Sequence, residues 1–353
     1  ASLTVRKNKM DLLMKMISLF NHKGGVSKTT TTFNLGWMLA EQGYKILIVD
    51  TDPQCNLTAL VLGYSSIDDT SEFYAKNPNC DLYTCILPVL NGEGRHLDAA
   101  PVATAHPNLS LLCGNLQLSE AETQISVALT TAAKLPAMRN IPGVLGACIR
   151  SAATKNDFDY VLVDMSPSVG ALNQCLLMSS DYFIVPTAPD FFCAQAIKSL
   201  TRVVPKWNKE VSDFRDSSFV YHLPENPPKF IGIISQKYRP RNGAPAKSFQ
   251  RWIDIINSEV ANALVPALVP FHMCLDDALF KSFSIEDEPY NLANIADFNS
   301  LIAQAQKHNV PVFALTDDQI EQGGNILDNM KLSRDDFGKT FYELSLKVVG
   351  LTA

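Results

Sequence analysis

The sequence predicts an α/β fold with a doubly wound, mostly parallel β-sheet flanked by helices. Short apolar runs rich in Val, Ile and Leu recur along the 353 residues, and each is followed by a polar turn and a helix-like segment. The runs lack strict alternation, which is typical of strands buried on both faces. Strands that alternate with helices in this way form parallel sheets. The seven clearest runs are residues 16–20, 45–50, 109–113, 160–164, 182–186, 230–234 and 267–271.

Helices are predicted most clearly after the first run and near the end of the chain. Residues 29–44 begin with four threonines, and Gly43 offers the left-handed conformation that commonly ends a helix. Residues 333–349 carry apolar side chains three to four positions apart, which predicts an amphipathic helix. Its predicted core-facing residues are Phe337, Phe341, Leu344 and Val348.

One large domain is expected from residue 16 to residue 353. A chain with 46% hydrophobic residues can bury a full core, and its length exceeds a typical single domain only modestly. Residues 1–15 are charged and lack the apolar stretch of a signal peptide, so they read as an N-terminal extension or a remnant of expression. Residues 63–107 show weak periodicity and several turn residues, which predicts a loop-rich elaboration.

Composition argues against several classes of protein. The net charge is -6 and the sequence pI is about 5.5, so the whole chain is not a polycation that coats nucleic acid or acidic membranes. The eight cysteines are scattered without a C-x-x-C pair, which argues against a metal cage and suits a reducing cytosol. No run of 18 apolar residues occurs, so we predict no transmembrane helix and a cytoplasmic location.

The stretch NHKGGVSKTTTT, residues 21–32, is the first candidate for a functional site. It follows a predicted strand and opens a predicted helix, where backbone N–H groups and the helix dipole stabilise a polyphosphate. Gly24 and Gly25 permit close approach of the backbone to such a ligand. Lys28 would neutralise phosphate charge, and Thr29 would offer its hydroxyl to Mg²⁺. A glycine turn that only caps a helix is the alternative.

Acidic residues end two of the predicted strands. Asp50 and Asp52 follow the second run in VDTDPQCN, and Asp164 ends the run YVLVD. Ligands of doubly wound folds bind at the carboxyl edge of the sheet, where these residues would meet the glycine turn. A carboxylate in this position holds Mg²⁺ directly or through water. Three such features at one edge are hard to explain by packing alone.

These three stretches resemble the ParA/MinD family of deviant Walker ATPases, most closely its ParA partition branch. The family's loop K-G-G-x-G-K-[ST] is matched at residues 23–29, apart from one position. Its second motif, D-x-D-P-Q-x-N, is matched at residues 50–56, and its third, a strand that ends in D-x-x-P-S, at residues 164–168. The resemblance is loose over residues 63–107 and after residue 283.

The resemblance implies a role for each matched residue, with ATP and Mg²⁺ as cofactors. Lys23 matches the signature lysine, which in the family crosses an ATP-bound homodimer to contact the partner's nucleotide. Lys28 matches the lysine that contacts ATP in its own subunit. Asp52 matches the carboxylate that orients the attacking water, and together with Lys23 and Lys28 it completes the implied catalytic set. The implied Mg²⁺ ligands are Thr29, Asp52 and Asp164.

The implied nucleotide contacts continue along the loop and onto later strands. The further loop contacts are Gly24, Gly25, Val26, Ser27 and Thr30. Gln236, Pro270 and Phe271, at the ends of later predicted strands, are candidates for adenine contacts. Ser27 stands where the family has glycine, and its Cβ disfavours a positive φ. We predict that ATP binding tolerates Ser27, because binding uses backbone N–H groups, and that hydrolysis is slow.

Basic residues are concentrated in residues 195–254. This segment holds eleven basic and five acidic side chains, a local charge of +6 on a chain of net charge -6. A basic patch on an acidic protein fits contact with the DNA phosphate backbone, and a solvated charged face is the alternative. The predicted DNA-binding residues are Lys237, Arg239, Arg241, Lys247 and Arg251.

The function implied by the resemblance is that of a partition ATPase at the nucleoid. It would dimerise on ATP, bind non-specific DNA and hydrolyse ATP weakly, with stimulation by a ParB-like adaptor. A cargo-positioning ATPase and a nucleotide-gated regulatory protein with negligible hydrolysis are the alternatives. The final residues KVVGLTA carry one lysine, too few for a basic membrane helix, so no membrane partner is predicted. About fifteen residues precede the first strand, too few for an operator-binding domain.

Overall fold

The computed structural model describes residues 13–63, 67–131, 135, 138–241, 244–283 and 288–353. The strands within these residues are β1 Lys15–Leu19, β2 Ile46–Asp50, β3 Val102–Ala103, β4 Leu109–Leu112, β5 Tyr160–Asp164, β6 Tyr182–Thr187, β7 Lys229–Tyr238, β8 Pro240–Arg241, β9 Ala244–Pro245 and β10 Asn291–Ala296. The α-helices are α1 Lys28–Glu41, α2 Asn56–Leu62, α3 Ile67–Lys76, α4 Leu82–Leu90, α5 Leu118–Thr131, α6 Ile141–Lys155, α7 Ala171–Ser179, α8 Phe191–Glu210, α9 Lys247–Glu259, α10 Val265–Leu268, α11 Asp277–Phe283, α12 Leu301–His308, α13 Asp317–Ile320 and α14 Gly324–Leu351.

Eight of these strands form one sheet in the order β10-β7-β6-β1-β5-β2-β4-β3. All neighbours are parallel except β3, which pairs antiparallel with β4 at one edge. The first strand therefore lies inside the sheet, between β5 and β6, and the chain winds outward from it in both directions. The predicted fold class is confirmed, and the carboxyl ends of β1, β2, β5 and β7 meet at one edge.

The sheet is covered on its faces by helices, as its composition predicts. Every residue of β2 and β5 is buried, which explains why these strands show no polar alternation. Helix α1 lies close to the sheet because it has glycine at position 36, where a Cβ would come within 2.9 Å of Ile48 Cγ2. This close packing fixes the start of α1, and with it the loop that precedes the helix, relative to the ends of the strands.

The terminal amphipathic helix is confirmed and longer than the sequence indicates. Helix α14 buries all four predicted core-facing residues. Its Ser345 accepts a hydrogen bond from Gln42 at the end of α1, and its Lys347 Nζ donates to Leu292 O in β10 at 2.7 Å. The helix thus ties the first helix to the edge strand β10.

Two predictions of the sequence need correction. The apolar run at residues 267–271 is the end of a helical stretch, because α10 continues into a single 3-10 turn at Val269–Phe271. The region 63–107 contains α3 and α4 as well as loops. Helix α4 begins at an Asp81 cap, whose Oδ1 accepts from Thr84 N at 2.8 Å, and turn residues on both sides of this short helix hid it.

The stretch from α9 to α10 is one continuous helical segment with a π-helical turn at Val260–Leu264. Among the described residues, Lys247–Phe271 is the one helical stretch long and apolar enough to cross a membrane by length and composition. Helices that line a protein core meet the same criteria. Here Ile253, Ile256, Val260 and Leu264 are buried, so one side of the stretch belongs to the core.

Candidate nucleotide-binding site

A cavity of about 470 Å³ lies at the carboxyl edge of the sheet. Its phosphate side, as we name it, is formed by the loop before α1 and by residues that follow β2 and β5. The other side, which we name the nucleoside side, is formed by residues at the ends of β7 and β10 and by α12. The lining residues are Gly24 to Thr30, Asp52, Asn56, Met165, Pro167, Gln236, Lys237, Ile295 to Phe298, Ile302 and Gln306.

The loop holds two residues in the left-handed region of backbone conformation. Gly25 has φ 75°, which glycine adopts freely. Ser27 has φ 56° and ψ 31°, at the position where the family has glycine, so its Cβ makes the conformation costly. The carbonyl of Ser27 accepts from Thr31 N at 2.9 Å and from Thr31 Oγ1 at 2.8 Å, and these bonds start α1. The loop therefore keeps the expected shape despite the serine.

Lys28 is 7% exposed and lines the cavity. Its ammonium donates to Asn21 O at 2.9 Å and to Lys23 O at 3.2 Å, so two carbonyls of the loop hold it in place. Burial lowers the pKa of this lysine, and the nearby Asp164 and Asp52 oppose that change. A cation with its positive charge poorly solvated is well suited to bind a phosphate.

Lys23 lies beside the cavity but does not line it. Its ammonium forms an ion pair with Asp190, and the two side chains are 22% and 42% exposed. Asp190 also caps α8, because its Oδ1 accepts from Cys193 N at 2.8 Å. The backbone N–H of Lys23 donates to Asn21 Oδ1 at 3.0 Å, which fixes the base of the residue. The side chain is thus held by Asp190, outside the cavity.

Two buried carboxylates behave differently at this edge. Asp50 Oδ2 accepts from Thr58 N at 2.8 Å and from Thr58 Oγ1 at 2.7 Å, so it is satisfied within the protein, and burial raises its pKa to about 6. Neither carboxylate oxygen of Asp164 has a hydrogen-bond partner of normal geometry among the described residues. Burial, and then the charge of Asp50, raise the pKa of Asp164 to about 8, while the nearby Thr29 and Lys28 oppose the rise.

The residues at this edge fit ATP with Mg²⁺. A fully buried carboxylate without a hydrogen-bond partner is a group that a hard cation would satisfy, and Thr29 and Asp52 supply further oxygen atoms beside it. Asp52 is 8% exposed, and its Oδ1 accepts from Gln54 N at 2.9 Å. The predicted ligands Thr29, Asp52 and Asp164 are therefore brought together, and so are all the loop residues predicted to contact nucleotide except Lys23.

The predicted adenine contacts are divided by the structure. Gln236 is 2% exposed, lines the cavity, and donates from Nε2 to Thr31 Oγ1 at 2.5 Å. Pro270 and Phe271 lie in the 3-10 turn close to Cys274, which bridges Phe230 at the amino end of β7. They are thus at the opposite edge of the sheet, and their assignment as adenine contacts is wrong. The strand that follows β7 in the sheet is β10, which the sequence analysis did not recognise.

The predicted DNA-binding residues lie in different surroundings. Lys237 reaches the phosphate loop, where its Nζ donates to Gly25 O at 2.9 Å. Arg239, Lys247 and Arg251 are exposed, in the region where the β8–β9 hairpin leads into α9. The side chain of Arg241, on β8, lies outside the described part of the structure. Other basic residues of the segment are engaged within the protein, such as Lys198, which forms an ion pair with Glu259.

Several cavity residues were missed by the sequence analysis. Asn56 and Pro167 belong to the second and third motifs but received no role. Residues on the nucleoside side, from Ile295 to Phe298 together with Ile302 and Gln306, lie beyond the motifs. The signal that could have found them is the pattern of Leu292, Ala293 and Ile295, followed by an aspartate, which resembles the aspartates at the ends of β2 and β5.

The sequence and the fold are similar to those of known proteins. Residues 14–215 match a family model described as an AAA domain, more than half of the 353 residues. An uncharacterized protein of Methanocaldococcus jannaschii is 30% identical over 238 residues, which cover 67% of this chain and 79% of that protein. The chromosome partitioning protein ParA of Caulobacter vibrioides is 29% identical over 194 residues, 55% of this chain and 63% of that protein. The structure of apo McdA from Cyanothece, at 17% identity, has a TM-score of 0.60 and covers 95% of this chain and 100% of that one.

The chain belongs to the ParA/MinD family of P-loop ATPases. The family match spans the glycine loop, both later motifs and the strands that carry them, and the resemblance to the family is confirmed. The likeness to McdA, at its low identity, supports the fold.

Proposed function

We propose that this protein is an ATP-dependent partition ATPase that dimerises on ATP, binds non-specific DNA and hydrolyses ATP with the stimulation of a ParB-like adaptor. The observation that carries the proposal is the position of Lys23. It lies next to the phosphate side of the cavity but is ion-paired to Asp190 outside it. A lysine placed in this way is suited to contact the nucleotide of a second subunit, since it adds little to its own.

The residues of one subunit support binding and orientation of ATP. Lys28, fixed by two loop carbonyls, would contact the phosphates, and the backbone N–H groups at the start of α1 would bind them as well. Asp52 would orient the attacking water. Mg²⁺, held by Thr29, Asp52 and Asp164, would neutralise charge on the phosphate oxygens. With Ser27 in the left-handed conformation, we propose that turnover without a partner is slow.

Exposed groups next to Asp190, which pairs with Lys23, support association with a second subunit. Phe191 and Phe192, directly after Asp190, are 51% and 70% exposed. The ring of Phe191 packs edge-to-face against Trp252 at 6.1 Å, so the aromatic surface extends from α8 to α9. Exposed aromatic residues of this kind are enriched in protein interfaces. We propose that this surface joins the interface of the ATP-bound homodimer.

The exposed basic residues Arg239, Lys247 and Arg251, which we name the basic surface, follow the cavity residue Gln236 closely in sequence. Gln236 lines the cavity, and Arg239 is exposed three residues later, so a shift of β7 on ATP binding would move the hairpin with it. Arg239, Lys247 and Arg251, together with Arg241, are the proposed DNA contacts, and doubling them in a dimer would strengthen binding to the phosphate backbone. The proposed location is the cytoplasm, in association with the nucleoid.

Retention of DNA in the presence of ATP tests the proposal. We expect Arg239→Glu combined with Arg241→Glu to abolish ATP-dependent retention of DNA and to leave the Kd for ATP unchanged. The matched control is Lys45→Glu combined with Lys229→Glu, which makes the same change of charge at the amino ends of β2 and β7. Equal loss in both double variants would show that net charge, and not this surface, controls retention.

A further inference from the structure

Lys237 occupies an irregularity at the carboxyl end of β7. In the pairing of β7 with β10, Gln236 lies opposite Ile295 and Tyr238 lies opposite Ala296, so Lys237 is an extra residue without a partner. Its φ is 59°, in the left-handed region that residues with a Cβ rarely adopt. Bulges of this kind redirect a side chain and are frequent next to active sites. A strained conformation at a lysine persists only where the surrounding structure holds it there.

The bulge turns the side chain of Lys237 toward the phosphate loop. The residue before it, Gln236, is buried and bonded to Thr31 in α1, which pins the end of β7 to the helix that begins at the loop. Lys237 then lines the cavity, and its Nζ donates to Gly25 O at 2.9 Å. The ammonium group therefore lies beside Gly25, one of the residues whose backbone would approach the phosphates.

We propose that Lys237 is a nucleotide-binding residue, a lysine that contacts the triphosphate of its own subunit from the nucleoside side of the cavity. The proposal rests on the proposed binding of ATP at this site. It replaces the role in DNA binding that the charge pattern alone predicted. When the triphosphate is bound, the ammonium would exchange the carbonyl of Gly25 for a phosphate oxygen, a charge-assisted and stronger bond.

The balance of charge in the cavity supports this role. The phosphate side contains Lys28 together with Asp52 and Asp164, so one cation faces two carboxylates in the subunit. Lys23 is engaged by Asp190 and does not line the cavity. Among the described lining residues, Lys237 is the one further cation, and it comes from the nucleoside side, where Asp297 also lines the cavity. A triphosphate placed between them would have positive charge on both flanks.

Calorimetric titration of the full chain with ATP and Mg²⁺ tests this inference. Lys237→Asn removes the ammonium and keeps a residue that tolerates the left-handed conformation, so the bulge can persist. We expect it to raise the Kd for ATP about tenfold, the effect of losing one charge-assisted hydrogen bond. Lys237→Arg, which keeps the charge, should remain within about threefold of the unmodified protein. Lys229→Asn, at the other end of the same strand, is the control and should not change the Kd.

A second readout separates binding from structure and from DNA. Thermal unfolding without nucleotide should give a similar midpoint for Lys237→Asn and for the unmodified protein, because the easier left-handed conformation of Asn offsets the lost bond from Lys237 Nζ to Gly25 O. A Kd for ATP within about twofold of the unmodified protein would overturn the inference. So would an unchanged Kd with lost retention of DNA, which would return Lys237 to the DNA-binding surface. Absence of ATP binding by the unmodified protein would instead refute the proposed function.

Discussion

The phosphate side and the nucleoside side of the cavity are built in different ways. The phosphate side consists of the loop at residues 23–29 and two short motifs at the ends of adjacent parallel strands, and hydrogen bonds to residues close in sequence hold these segments in place. The nucleoside side is assembled from β7, β10 and α12, which are distant in sequence and are joined by strand pairing and one bulge. The residues that match the family's motifs therefore lie on the first side, and the second side is formed by residues outside those motifs.

The largest effect is expected from the phosphate side. Lys28→Gln removes the buried cation that two loop carbonyls position, so we expect the Kd for ATP to rise about a hundredfold. The affinity for inorganic triphosphate, measured by competition with a fluorescent nucleotide, should fall by a similar factor. Lys155→Gln, far along the chain and half-exposed, is the control. Equal affinity in Lys28→Gln and the control would contradict the assignment of the phosphate side.

A smaller and more selective effect is expected on the nucleoside side. Ile302→Ala removes part of the apolar wall beside Phe298, so we expect the affinity for ATP to fall about fivefold. Inorganic triphosphate has no base, and its affinity should not change. The ratio of the two affinities therefore distinguishes a change on the nucleoside side from a change on the phosphate side. We expect the base to lie against α12. If Ile302→Ala lowers the affinity for triphosphate as much as the affinity for ATP, this expectation is wrong.

Much of the phosphate side could be predicted from the sequence, because its residues are contiguous in motifs whose spacing encodes their geometry. On the nucleoside side, Gln236 was predicted and lines the cavity, but most of the other residues could not be predicted. The run at residues 267–271 was taken for a strand, since short apolar runs do not distinguish a strand from the end of a buried helix. The strand β10 was not predicted because Asn291 and Asn294 interrupt its apolar pattern. The contact of Lys237 with the phosphate loop could not be predicted, because a bulge depends on the register of two strands, which charge patterns do not reveal.

The ion pair between Lys23 and Asp190 allows a test of the proposed role of Lys23 in the dimer. Asp190→Asn keeps the cap of α8 and removes the charge that holds Lys23, so dimerisation should need about threefold less ATP, in line with a partly exposed ion pair. Sedimentation at increasing ATP concentration measures the change. Asp216→Asn, a carboxylate on an exposed turn, is the control. Weaker dimerisation in Asp190→Asn would mean that Asp190 helps to form the dimer and does not restrain Lys23.

The smallest effect concerns Ser27, the residue that departs from the family's loop. Ser27→Gly relieves the left-handed conformation at φ 56° but adds freedom to the unfolded chain, so the free energy of unfolding should rise by at most about 1 kcal/mol. Denaturant titration without nucleotide measures this difference. The rate of ATP hydrolysis should rise as well. A less stable Ser27→Gly protein would contradict this expectation, because it would show that relief of the left-handed conformation is smaller than the cost of the added freedom in the unfolded chain.

The central claim is that ATP converts this acidic protein into a dimer that holds DNA through a local basic surface. Binding to a non-specific DNA duplex, measured with ATP and with ADP over a series of salt concentrations, tests it most directly. The account predicts binding only with ATP, with an affinity that falls steeply as salt rises, because several phosphates are contacted at once. Binding that is equal with ATP and ADP, or no binding at low salt with ATP, would contradict it.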